Sequence, residues 1–249
     1  MKTLVRFTFS LAAAAALTAS VALADGAKPI RHLVYKFDVT LATTSTVHDS
    51  GIGGDGPVSG STDYHGQATD QGQITVDVVQ AQPDSGLVVQ ISEQARNRRD
   101  SEPTMCVVYG SGAVICDQSK GGVNEEESSL LRFLGRNFVN PASIDSKNHW
   151  QYTASDSQSQ ETSNYTLGTG SGDVVPITYQ RVLKVAGVNG FDATTDGKIT
   201  YNQKLSVPVT IVEDTTTRKS TGMGNYDTNR QQISLTLAGD SLAQAAQSH

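Results

Sequence analysis

Apolar and polar residues alternate along most of the chain, which is the pattern of strands with one buried and one solvated face. The clearest run is 33–41, in which Leu33, Tyr35, Phe37 and Val39 are separated by residues of the other face. The same alternation recurs at 74–78, 87–91, 150–152, 199–201, 205–211 and 233–237. Turn residues lie between most runs, and few gaps are long enough for a helix. The pattern predicts a mainly β (α+β) fold of roughly 10–12 strands in one large, curved antiparallel sheet, built as a half-open barrel or a sandwich.

One segment has helical spacing instead. Asn124 is a good N-cap, and the acidic run 125–127 complements the positive end of a helix dipole. An apolar stripe follows at Leu130, Leu131, Phe133, Leu134 and Phe138. The spacing predicts one principal amphipathic helix over 125–139, packed on the sheet. Consecutive carboxylates point around a helix axis and do not converge, so capping explains the acidic run better than a metal cluster does.

Composition narrows the function classes. Only 37% of the 249 residues are hydrophobic and the net charge is −6. An acidic chain of this kind argues against nucleic acid or an anionic membrane surface as the partner.

The N-terminus has the three parts of a secretory signal peptide. Lys2 and Arg6 supply a basic region, 7–17 is apolar, and Ala22-Leu23-Ala24 fits a cleavage site. The alternative is a membrane anchor, but the apolar run is shorter than the ~18–20 residues that a span needs. We therefore expect 1–24 to be cleaved, leaving 25–249 as a single β-rich domain in a bacterial periplasm or secreted, with no transmembrane segment.

The two cysteines fit an oxidising compartment. Cys106 and Cys116 flank two short apolar runs around a Gly-Ser-Gly turn, and this hairpin register places them opposite each other. The alternative is a redox pair, which usually reads C-x-x-C at a helix start. The spacing favours a structural disulfide that closes one hairpin.

Two glycine-rich stretches, 49–62 and 168–173, are predicted to be flexible loops, and 241–249 a polar tail. Neither loop has the flanking residues of a phosphate-binding motif. The words Gly-x-Ile-Thr at Gly72 and Gly197, and Val-x-Ile-x-Glu at Val89 and Val209, each occur twice. They come from an internal duplication or, more simply, from the fact that such short sequences are common in β-strands.

The candidate chemistry is weak. Asp192, Asp196 and Gly197 match part of a calcium-binding EF-hand loop, but Gln203 stands where a bidentate Glu is needed, so we interpret 192–203 as a hairpin turn at 196–197. There is no Gly-x-Ser-x-Gly elbow and no zinc spacing of histidines.

Three further side-chain groups have ordinary structural interpretations. We expect His65 and His149 to be half-buried packing residues, and Arg96, Arg98 and Arg99 to form a solvated turn. No metal, cofactor or catalytic residue is predicted.

The function predicted from these features is that of a non-catalytic binding protein, with an apolar small molecule or a lipid-like ligand between sheet and helix. The architecture alone resembles periplasmic lipoprotein carriers, in which a half-open barrel holds acyl chains. The alternatives are a structural or surface-interaction module that contacts an envelope component, and a hydrolase with a dispersed site. The groove is predicted to be lined by Leu130, Phe133, Leu134, Phe138, Tyr35 and Phe37.

Overall fold

The computed structural model describes residues 29–50, 59–82, 86–109, 113–120, 122–135, 138–139, 141–187, 190–222 and 225–243. The predicted signal peptide and most of the first glycine-rich stretch lie outside these residues. The described strands form one 11-stranded sheet in which every pairing is antiparallel.

Consecutive strands pair as antiparallel neighbours, except that a longer connection containing the helix separates the fifth strand from the sixth. The strands are β1 Arg31–Ser50, β2 Ser59–Gln82, β3 Gly86–Ala95, β4 Thr104–Val108, β5 Val114–Cys116, β6 His149–Ser155, β7 Ser159–Leu167, β8 Val174–Val185, β9 Phe191–Asn202, β10 Val207–Gly222 and β11 Asn225–Asp240. Their order across the sheet is β5-β4-β3-β2-β1-β11-β10-β9-β8-β7-β6. The sheet is not closed into a barrel, since β5 and β6 are its two edges.

Helix α1, Glu125–Arg132, lies in the segment that joins these two edge strands. Its Leu130 and Leu131 are fully buried in one core with side chains of β1, β2, β3, β8 and β9. We call the face of the sheet that carries this core the inner face. Its residues are the apolar members of the alternating runs, which confirms the prediction of a mainly β chain with one principal helix.

The helix is shorter than the predicted 125–139. It begins as predicted, because the Asn124 N–H donates to the Glu127 carboxylate at 2.8 Å, half of a capping box. It ends at Arg132: the Phe133 N–H bonds the Leu130 carbonyl at 3.1 Å, and Gly135 takes the left-handed φ of 104°. Phe133, Leu134 and Phe138 of the apolar stripe therefore lie outside the helix.

The predicted disulfide is confirmed. Cys106 and Cys116 are register partners on β4 and β5, with Cα atoms 4.1 Å apart. None of the described helices is long and apolar enough to cross a membrane.

The predicted turn at 196–197 is wrong, because Asp196 and Gly197 lie inside β9. The turns that flank β9 lie after β8, which ends at Val185, and before β10, which begins at Val207. The glycine is needed there for packing: a Cβ on Gly197 would run into the ring of Tyr179.

The predicted loops and tail are described only in part. Positions 49–50 and 59–62 belong to β1 and β2, and 168–173 connects β7 to β8. In the tail, 241–243 form one helical turn, and the rest lies outside the described residues.

Candidate functional site

Side chains on the inner face form rows that run across neighbouring strands. Successive rows are about 7 Å apart, because each lies two residues further along every strand. The apolar row consists of Leu167, Ile177, Ile199, Ile211, Leu235 and Phe37. The aromatic row consists of Trp150, Tyr165, Tyr179, Gly197 and Glu213. The polar row consists of Tyr152, Ser163, Arg181, Thr195 and Thr215. The inner face of β6 to β10 thus changes from apolar to polar along the strands.

The turn that follows α1 packs on the aromatic row. The ring of Phe133 lies 5.3 Å from that of Tyr179, and the ring of Phe138 lies 5.4 Å from Tyr165 and 6.0 Å from Trp150. Trp150 stacks on Tyr165 with ring centroids 5.0 Å apart. Phe138 and Trp150 are only half-buried. An aromatic surface is therefore left partly open beside the edge strand β6.

Tyr179 and Glu213 form a buried hydrogen bond across the glycine of β9. The Tyr179 ring lies over Gly197, and its hydroxyl donates to the Glu213 carboxylate. Glu213 is 3% exposed. Burial first, and the Glu213 charge second, raise the pKa of Tyr179 well above its ordinary value. Tyr179 thus remains a neutral donor to the buried carboxylate.

Arg132, the last residue of α1, interacts electrostatically with this pair. Burial lowers the pKa of its guanidinium, but Glu213 and Glu161 outweigh that effect and raise it above the ordinary value. Its charge also acts on the hydroxyls of Tyr152 and Tyr165. Arg132 nevertheless forms no ion pair with any carboxylate of the described residues.

Arg181 supplies a second guanidinium, in the polar row. Its side chain is nearly buried, with the residue 8% exposed. One Nη2–H donates to Thr195 Oγ1 at 3.3 Å, and Thr195 is in turn 2.8 Å from the Thr215 hydroxyl. The Arg181 Nε is buried and has no hydrogen-bond partner. Like Arg132, it forms no ion pair within the described part of the chain.

A second charged cluster, centred on Arg98, contacts the N-terminal end of α1. Arg98 lies 3.0 Å from Asp70 and 2.9 Å from Glu93, and it also pairs with Glu126 of α1. Its guanidinium stacks 5.5 Å from the Phe37 ring centroid. The predicted exposed turn is present at 96–100, but Arg98 also forms ion pairs with acids of β2, β3 and α1, which the sequence did not predict. Arg99 is 90% exposed, as expected.

The six predicted groove residues lie together in the core. Tyr35, Phe37, Leu130, Phe133 and Leu134 are at most 3% exposed, so the space between them is filled by their own side chains. Only Phe138 is half-buried. One shallow depression of about 490 Å³ borders Phe37 and is lined by 36–38, 71–73 and 94–96. A second, of about 390 Å³, is lined by none of the six residues and lies at 156, 158–160, 184–186 and 192. A ligand in the groove stays a prediction.

Six residues at the margin of this core were not predicted from the sequence as site residues. The missed side chains are Arg132, Trp150, Tyr165, Tyr179, Arg181 and Glu213. The aromatic ones could have been predicted from strand alternation, because they lie at the inward-facing positions of β6, β7 and β8. The electrostatic interaction of Arg132 with Glu213 depends on where α1 ends, and no local sequence pattern specifies that position.

The two histidines singled out from the sequence lie outside the core. His65 and His149 are exposed rather than half-buried, because both lie on strand positions that face away from the core. Across the described residues, no group of three or more His, Cys, Asp or Glu side chains is placed to hold a metal ion. No protein-family model matches the chain, and no curated protein is significantly similar to it.

Proposed function

We propose that the chain is an exported, non-catalytic binding protein for an apolar or lipid-like small molecule. The ligand lies at the margin of the inner face, between the turn after α1 and strand β6. The observation that carries this proposal is the half-buried aromatic surface of Phe138 and Trp150 beside an otherwise filled core. Ligand sites combine apolar and aromatic walls with a few polar groups, and the polar row supplies such groups next to this surface.

The short helix supports the same site. Because α1 ends at Arg132, the helix stops before Phe138, and the described residues 133–135 and 138–139 that follow it are not helical. Ile144, Tyr152 and Leu167 are partly buried there and continue the apolar margin. A periplasmic or secreted location is part of the proposal, and the Cys106–Cys116 disulfide is consistent with it.

The test is a titration with a fluorescent fatty-acid probe, read by probe emission and by quenching of Trp150, the only tryptophan of the chain. We expect saturable binding that Tyr152→Ala weakens, since Tyr152 lies on β6 next to Trp150 in the inward direction. The matched control is Val212→Ala, which removes an apolar side chain of β10 that is 50% exposed on the opposite face. Absence of saturable binding, or equal weakening by both variants, would overturn the proposal.

A second candidate is a structural or interaction module of the cell envelope. It is favoured by one observation: β3 ends at Ala95 and the turn after it hydrogen-bonds Gln71 and Thr69, so the β2 residues before Thr69 have no strand partner on that side among the described residues. Free strand edges are sites of β-augmentation. Under this alternative the fatty-acid probe does not bind, whereas an envelope component is retained by the immobilised protein.

A further inference from the structure

We infer that the ligand is an amphiphile with one anionic headgroup, a carboxylate or a phosphate, whose charge is bound by Arg132 and Arg181. This inference rests on the proposed function and adds the chemical class of the ligand. It starts from Arg181, which is nearly buried and whose Nε has no hydrogen-bond partner. Arg132 and Arg181 both act electrostatically on Tyr165 and Tyr179, and neither forms an ion pair in the described chain.

The unpaired state of Arg181 is the first argument. A guanidinium presents five N–H donors, and its transfer out of water without a counter-charge is unfavourable. Arg181 is 8% exposed, yet its only hydrogen bond with a described residue is to Thr195, and its Nε is buried without a partner. A carboxylate or phosphate oxygen is the group that completes such a fork.

The resident carboxylates do not fill this role. Glu213 accepts its hydrogen bond from Tyr179, and Glu161 accepts one from Ser163 at 3.3 Å. Both glutamates act on Arg132 at longer range and form no ion pair with it. Two arginines and two glutamates leave the group without net charge, so an added anion binds by directed hydrogen bonds rather than by a diffuse positive field.

The position of Arg181 also gives the direction of the apolar tail. Arg181 and Tyr152 belong to the polar row, and Trp150 lies one row further on the same strand as Tyr152. A headgroup at Arg181 therefore directs its tail over Trp150 and Phe138, toward the apolar row at Leu167. This order of charged, aromatic and apolar groups matches a single-chain amphiphile and not a wholly apolar molecule.

The experiment compares dodecanoate, dodecyl phosphate and dodecanol, which share one chain length, by quenching of Trp150. We expect either anion to bind at least about tenfold more tightly than dodecanol, because hydrogen bonds to charged groups are the strong ones. Comparison of the two anions decides whether a carboxylate or a phosphate is preferred. If dodecanol and both anions bind equally, the headgroup inference is wrong and the proposed function stands; if none binds, the proposed function fails with it.

Variants locate the charge. Arg181→Met keeps the apolar stem and is expected to lose about tenfold in dodecanoate affinity with dodecanol affinity unchanged, whereas the exposed control Arg99→Met changes neither. Arg132→Met, in a less buried residue, gives the same loss if Arg181→Met fails to fold. Glu213→Gln removes the carboxylate that acts most strongly on Arg132 and is expected to strengthen dodecanoate binding severalfold. Arg181→Met and Arg132→Met variants that both retain full dodecanoate affinity would overturn the inference.

Discussion

Arg98 is the residue whose loss should destabilise the fold most clearly, because three carboxylates from separate elements converge on it. Two of them, Glu93 and Glu126, are 0% exposed, while the Arg98 side chain is 37% exposed. Removing one partner of a buried ion pair costs about 3–5 kcal/mol, and solvent screening at a partly exposed guanidinium places Arg98→Ala near about 3 kcal/mol. For a chain of this size that is a fall of roughly 6–12 °C in Tm.

The assay is urea unfolding followed by Trp150 fluorescence, with Arg99→Ala as the matched control. Arg99 is 90% exposed, and its ion pair with Glu102 is at 4.0 Å, so its loss should change the free energy of unfolding by less than about 0.5 kcal/mol. Adding Glu93→Gln to Arg98→Ala should recover part of the loss, because it neutralises one uncompensated buried charge. Equal stability of the Arg98 and Arg99 variants would refute the account of this cluster.

Three further outcomes follow from the structure. Burial raises the pKa of Glu93 and of Glu127 above the ordinary 4.5, so the stability gained from protonating them is complete below that value and is lost as pH rises through the folded pKa. The free energy of unfolding should therefore increase as pH falls from 7 toward about 4.5. Glu93→Gln should flatten this increase. Gly197→Ala should cost about 1–3 kcal/mol in urea unfolding because the added Cβ meets the Tyr179 ring, whereas Gly66→Ala, which meets nothing within 4 Å, should be neutral. Reduction of the disulfide, which joins residues 10 apart in sequence, should lower the free energy of unfolding by about 2–3 kcal/mol, and a change below about 0.5 kcal/mol would contradict its stabilising role.

Strand periodicity predicted the sheet because one face of each strand is buried, and burial repeats every second residue. The Cys106–Cys116 pairing was predictable for the same local reason, since one hairpin fixes its own register. Pairing of β1 with β11 joins residues far apart in sequence, and no local pattern specifies such a partner.

The candidate site was less predictable, and Gly197 illustrates why. After Asp196 it has the chemistry of a turn, yet Tyr179 of the neighbouring strand needs the space above it. The two repeated sequence motifs have similar environments in the fold. A Cβ on Gly72 would meet the Phe37 ring, as one on Gly197 would meet the Tyr179 ring. The glutamates that end the second motif, Glu93 and Glu213, are both buried. These environments depend on the register of neighbouring strands, which the motifs themselves do not specify.

Binding of an amphiphile is the central claim, and the most direct measurement is extraction of the protein purified from a bacterial periplasm, followed by mass spectrometry of the lipids. We predict a single-chain anionic amphiphile at close to one molecule per chain, with clearly less in Arg181→Met than in Arg99→Met. A protein that carries no lipid from the periplasm and remains without one after incubation with dodecanoate would contradict the account.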